Sequence, residues 1–107
     1  MRRKEERVSK FLVTYFGGSR PTTPEQAEQM KAAFGQWLEK AGSAVVDPGA
    51  PLRPATQVAN GHAHPTVEIG GYSVIEAPTL EDAVAVLKSH PFVARGGTLQ
   101  VDEAVSV

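Results

Sequence analysis

The stretch Phe11-Leu12-Val13-Thr14-Tyr15-Phe16 constrains the fold of this chain more than any other. It reads as a strand that begins near Val8. Side chains alternate across a strand, which puts Phe11, Val13 and Tyr15 on one face and Leu12, Thr14 and Phe16 on the other. Both faces are apolar. A strand half open to water would not look like this, so each face needs a cover.

The elements that follow come from local signals. Gly17-Gly18-Ser19-Arg20-Pro21 breaks the strand, and Thr23-Pro24-Glu25-Gln26 opens a helix: Thr23 as cap, Pro24 in the first turn, Gln26 completing a capping-box pattern. Ala27, Met30, Phe34, Trp37, Leu38 and Ala41 then form one apolar stripe, ending at Gly42. Ala44-Val45-Val46 is a short buried strand, and Asn60-Gly61 offers a hairpin turn between Thr56–Val58 and Thr66–Glu68. Gly71–Ala77 reads as a second central strand. Thr79 caps a second helix with Leu80, Ala83, Val84 and Leu87 inside, and that helix must end by His90 because Pro91 disfavours helix in the residue before it. Leu99, Val101, Glu103, Val105 and Val107 alternate with polar or small residues in a final strand.

The order is βαββαβ, which predicts an α+β, ferredoxin-like fold with an antiparallel sheet. Two helices can cover only one face of a four-stranded sheet. The second apolar face is most economically covered by another copy of the chain across a two-fold axis, so the expectation is a homodimer of dimeric α/β-barrel type.

Composition narrows the function classes. With 107 residues the chain suits a single domain, here residues 8–107. The absence of cysteine excludes disulfide scaffolding, thiol catalysis and Cys-based metal sites. No apolar run approaches the roughly 20 residues of a membrane span, and the expectation is a soluble cytoplasmic protein. The net charge of −1 hides an asymmetry: Arg2, Arg3, Lys4, Arg7 and Lys10 make the N-terminus basic, while the remainder is acidic. Residues 1–7 read as a flexible leader. The body has no basic stripe, which argues against a nucleic-acid partner.

Several stretches together resemble the YCII-related (DGPF) domain family. They are Lys10–Phe16, the helix end Trp37-Leu38-Glu39-Lys40-Ala41-Gly42, Val46-Asp47-Pro48-Gly49-Ala50-Pro51-Leu52, Gly70-Gly71-Tyr72-Ser73-Val74-Ile75-Glu76-Ala77, and His90-Pro91 before the last strand. The likeness spans roughly residues 8–105. It implies a dimeric α/β barrel of ferredoxin-like protomers and, for some relatives, small-molecule lyase or dehydrohalogenase activity. Some members use a His–Asp pair with the histidine on the first helix; here that helix reads Gln29-Met30-Lys31-Ala32, and the literal Asp-Gly-Pro-Phe motif is missing. The resemblance therefore implies the fold more than the chemistry.

The candidate catalytic residues are Asp47 and His90. Asp47 follows a buried strand, where a raised pKa would make it a base, although Asp before Pro-Gly also organises turns. His90 is able to exchange protons near neutral pH, or to bind the carbonyls that end the second helix. Tyr15, Tyr72 and Arg53 are candidate ligand-pocket residues, the tyrosines through ring and hydroxyl, Arg53 as a partner for an anion. His62 and His64 are weak metal candidates in a loop, and no motif calls for a cofactor. The function expected is a small-molecule enzyme of lyase or isomerase type, with a proton-transfer pocket in each protomer of the dimer. The alternative is a non-catalytic dimeric module that binds a ligand or partner.

Overall fold

Residues 8–106 are described by a computed structural model; the basic segment 1–7 and Val107 lie outside the described residues. The elements are β1 (Ser9–Gly17), α1 (Pro24–Ala41), a 3-10 turn (Gly42–Ala44), β2 (Val45–Pro51), β3 (Gly71–Ala77), α2 (Leu80–Leu87), α3 (Pro91–Ala94) and β4 (Gly97–Glu103). The strands form one antiparallel sheet in the order β2-β3-β1-β4. This is the ferredoxin-like arrangement predicted from the element order, with α3 added before the last strand.

The helix starts follow the local chemistry. Thr23 Oγ1 accepts from the Gln26 N–H at 3.1 Å, and the Gln26 side chain reaches back to the Thr22 N–H and hydroxyl rather than to Thr23. Thr79 Oγ1 accepts from the Asp82 N–H in the same way. Such caps satisfy amides that the first turn leaves without partners.

Phe11 and Val13 are fully buried beneath the helices with Ile75, Trp37, Ala83 and Leu87. Trp37 Nε1 donates to the Val86 carbonyl at 3.1 Å, tying α1 to α2. The opposite sheet face is different. Leu12 is 42% exposed, Phe16 and Val74 are half-buried, and Thr14 is buried between its register partners Tyr72 and Gln100. On β4 this face carries the exposed polar residues Thr98, Gln100 and Asp102, so its apolar strip does not extend to β4. Among the described residues, no helix is long and apolar enough to cross a membrane.

Three sequence expectations are corrected. The strand expected over 44–46 runs from Val45 to Pro51, straight through Asp47-Pro48-Gly49, because register shifts on either side of Asp47 absorb the proline and glycine. Pro48 is tolerated since β2 is an edge strand. Gly49 has φ +79°, and a Cβ there would overlap the Tyr72 carbonyl oxygen. The hairpin expected around Asn60-Gly61 does not form, and residues 52–70 carry no regular structure. The last strand stops at Glu103; one further bond to β1 follows, from the Ala104 N–H to the Lys10 carbonyl, and residues 104–106 carry no regular structure.

Candidate functional site

Tyr15 stands on the helix-covered face near the end of β1, and Ser73 stands on the same face of the adjoining β3. His90 arrives from the junction of α2 and α3. Pro91 forces extended backbone on His90 (φ −66°, ψ 131°), so the chain leaves α2 and restarts as α3. Instead of holding the end of α2, the His90 side chain caps α3: Nδ1 accepts from the Phe92 N–H at 3.0 Å.

That cap assigns the tautomer. With Nδ1 used as an acceptor, the proton of the neutral ring is on Nε2. His90 Nε2–H then donates to Tyr15 Oη at 2.8 Å, Tyr15 O–H donates to Ser73 Oγ at 2.8 Å, and Ser73 O–H donates to the Pro48 carbonyl at 2.7 Å. The chain of protons runs one way, from imidazole to backbone.

His90 is only 2% exposed. Its ring centroid lies 4.4 Å from that of Trp37, 5.1 Å from that of Tyr15 (edge-on) and 5.6 Å from that of Phe34. Burial, with a smaller contribution from the charge of Arg95, lowers its pKa to about 4. Burial also raises the pKa of Tyr15, against a smaller opposing effect from the Ser73 hydrogen bond. At neutral pH both groups are therefore uncharged.

Tyr15 and His90 line a cavity of about 400 Å³ whose aromatic walls include Phe34 and Phe92. The backbone of the β2 bulge forms one rim. Arg20 and Arg95 supply the charge, and none of the described lining residues is Asp or Glu. The Phe92 ring packs where a Cβ on Gly97 would overlap it, and the Arg95 guanidinium carbon lies 5.5 Å from the centroid of that ring.

Of the residues singled out from sequence, the structure brings Tyr15 and His90 together. Asp47 and Tyr72 meet on the opposite sheet face. Asp47 Oδ1 accepts from the Gly49 N–H at 2.9 Å, organising the bulge, and Oδ2 accepts from the Tyr72 hydroxyl at 3.3 Å. Asp47 does not line the cavity; Tyr72 does. Arg53 lines a separate hollow within the 52–69 loop. His62 and His64 are exposed on that loop, and no group of three or more His, Asp or Glu poised for a metal ion occurs among the described residues.

Phe34, Phe92, Arg20 and Arg95 line the cavity and Ser73 stands behind Tyr15, but none of them was marked as a site residue in the sequence. Ser73 carried a usable signal, since it shares its strand face with Ile75 and Ala77 and is therefore a polar group placed inward. Phe34 fits the core stripe of α1 equally well. Nothing local distinguishes Arg20 or Arg95.

The fold is similar to that of a solved structure, 5-chloro-2-hydroxyhydroquinone dehydrochlorinase (TftG) from Burkholderia phenoliruptrix AC1100 in complex with 2,5-dihydroxybenzoquinone. The TM-score is 0.52 at 18% sequence identity, over 85% of this chain and 90% of that one. No family model and no curated protein matches the sequence. At this identity the likeness is one of fold.

Proposed function

We propose that this chain is a small-molecule enzyme of lyase or isomerase type, in which Tyr15 moves a proton at the cavity wall. The observation that carries the reading is the directed hydrogen-bond chain behind the Tyr15 hydroxyl. A tyrosine held neutral is an acid, not a base. When its proton passes to an electron-rich atom of a ligand, the ligand's electron pair forms the new bond to hydrogen and a phenolate remains on Tyr15. His90 Nε2–H already points at that oxygen, and the Ser73 hydroxyl is able to turn from Pro48 towards it. Donors in place before charge develops are the most effective kind of stabilisation. Water then returns a proton to Tyr15. Proton delivery at carbon completes an isomerisation; delivery to a departing group completes an elimination.

In this reading Tyr15 is the catalytic residue, His90 positions and supports it, and Asp47 builds the bulge that supplies the Pro48 carbonyl. The activity stated for TftG, a dehydrochlorinase with a similar fold, supports the same reaction class. The resemblance to the YCII-related (DGPF) family supports it as well. The working unit is a homodimer in which a second copy covers the strip of Leu12, Phe16 and Val74, leaving one cavity in each protomer. A stable monomer by sedimentation at micromolar concentration would overturn that part.

The chemistry is tested in D₂O. The full-length protein is mixed with a panel of small molecules supplied as their enols or enolates, and exchange of solvent deuterium into carbon as they ketonise is followed by NMR. Uptake is expected for at least one member, slowed about 100-fold in Tyr15→Phe. Binding of panel members with no exchange of any would favour the non-catalytic ligand-binding module instead.

A further inference from the structure

The cavity contains an acid and two cations but no free base. Both nitrogens of His90 are committed, one as acceptor to the Phe92 N–H and the other as donor to Tyr15. No carboxylate lies among the described lining residues. A neutral ligand that must first lose a proton finds nothing here to take it. A ligand that has already lost that proton finds complementary charge.

Arg95 is built to supply it. Its backbone closes α3, with the N–H donating to the carbonyls of Pro91 and Phe92, so the residue is anchored. Its guanidinium stands over the Phe92 ring at the cavity wall. Yet Nε is buried with no hydrogen-bond partner, and among the described residues the guanidinium makes no ion pair. Arg20, exposed on the β1–α1 connection, adds a second cation at the mouth. Much of the cavity wall is flat: Tyr15, Phe34 and Phe92. A volume of about 400 Å³ is at the low end for small-molecule sites and suits a single substituted ring.

We infer that the ligand of this cavity is a planar, delocalised oxyanion, a phenolate or enolate that enters already deprotonated, with Arg95 as its counter-charge. The inference rests on the reading of the cavity as the functional site and adds the ionic state of what occupies it. Arg95 holds the oxyanion, the aromatic walls hold the plane, and Tyr15 faces an electron-rich ligand, which is the partner a general acid requires.

The probe is 4-nitrophenol, whose phenolate is yellow and whose phenol is not, with 4-nitroanisole as a neutral analogue that cannot ionise. Near the pH where the free probe is half ionised, adding the full-length protein is expected to deepen the colour, because a site preferring the anion lowers the probe's apparent pKa. A tenfold preference corresponds to a drop of about one unit. Arg95→Gln is expected to reduce the preference below about threefold, while 4-nitroanisole binding, read by NMR, is unchanged. Raising sodium chloride from 0.05 to 0.5 M is expected to weaken phenolate binding to the unaltered protein, a check that does not depend on any variant folding. Nitrophenol bound with its pKa unchanged or raised, or with equal preference in Arg95→Gln, would overturn the inference and leave the cavity's function standing. Failure of both probes to bind would count against the site itself and against the inference with it.

Discussion

The two faces of the sheet carry nearly the same chemical kit. On the open face Tyr72 donates to the Asp47 carboxylate; on the covered face Tyr15 accepts from the His90 imidazole. Both tyrosines have raised pKa values, but for different reasons. For Tyr72 the first cause is the negative charge of Asp47, with their hydrogen bond second and burial last. For Tyr15 the first cause is burial. A charge-driven shift at the surface is screened by salt and vanishes with its partner, whereas a burial-driven shift belongs to the fold. Both members of the covered pair line the cavity, whereas of the open-face pair only Tyr72 does. The same tyrosine hydroxyl is thus set to two uses by its partner and its environment, an accepting carboxylate on one face and a donating, buried imidazole on the other.

The bulge at 47–49 joins the two faces. Its Pro48 carbonyl ends the Tyr15 chain, and its Gly49 N–H holds Asp47. Gly49→Ala breaks both at once. The backbone is left-handed there and the new methyl would run into the Tyr72 carbonyl, so β2 must move. Strain of this kind plus the lost hydrogen bonds is expected to cost at least about 3 kcal/mol, lowering Tm by roughly 15 °C in a domain of this size. A thermal melt within about 2 °C of the unaltered protein would show the bulge to be adaptable and the faces independent.

The next effect separates the faces. With a substrate from the exchange panel, Tyr15→Phe is expected to lower kcat about 100-fold. Tyr72→Phe is expected to change it less than about threefold, because its hydroxyl serves Asp47 and not the cavity chain. Equal losses in both variants would erase the distinction.

His90 provides a third comparison, in pH. Its pKa is about 4 in the folded chain, below the ordinary value of 6.5, so between those limits the unfolded chain binds more protons. Stability contributed by the neutral, buried ring is present above pH 6.5 and is lost as the pH falls towards 4. At about 1.4 kcal/mol per unit the loss is on the order of 3 kcal/mol. His90→Asn keeps an acceptor for the Phe92 N–H and removes the imidazole. Denaturant melts from pH 7 to 4 are expected to converge for variant and parent as the pH falls. Parallel curves would place the ring in contact with water.

What could be read from sequence follows how local each feature is. The two-faced strand at Phe11–Phe16, the Thr23 and Thr79 caps and the stop at His90-Pro91 depend on residues within one turn or strand, and each stands where it was expected. The β2 bulge depends on Gly49 pressing against Tyr72, a contact made only after β2 docks on β3. His90 was legible as a functional residue type, but its partner Tyr15 is 75 positions away and its role as the cap of α3 depended on a helix of four residues that no periodic signal announces. Asp47 looked equally promising because a carboxylate beside Pro-Gly reads alike whether it faces a cavity or the opposite side of a sheet. Register decides that, and register is a property of the paired strands.

The smallest expected effect tests the cause of the Tyr72 shift directly. Asp47→Asn removes the charge and keeps a side-chain oxygen that can still accept from the Gly49 N–H, so the bulge has a means of surviving. With the carboxylate gone, the Tyr72 hydroxyl is expected to titrate closer to the ordinary tyrosine value of about 10, and Tyr15 is expected not to follow. The two tyrosines are the only ones in the chain, so ultraviolet absorbance of tyrosinate between pH 8 and 12 can follow both, with Tyr72→Phe assigning the steps. In the parent protein 1 M sodium chloride is expected to move the Tyr72 step the same way as the substitution, through screening, and to leave the Tyr15 step in place. If Asp47→Asn shifted both steps together, the bulge would be transmitting charge from one face to the other, and the two pairs would have to be treated as one coupled network across the sheet.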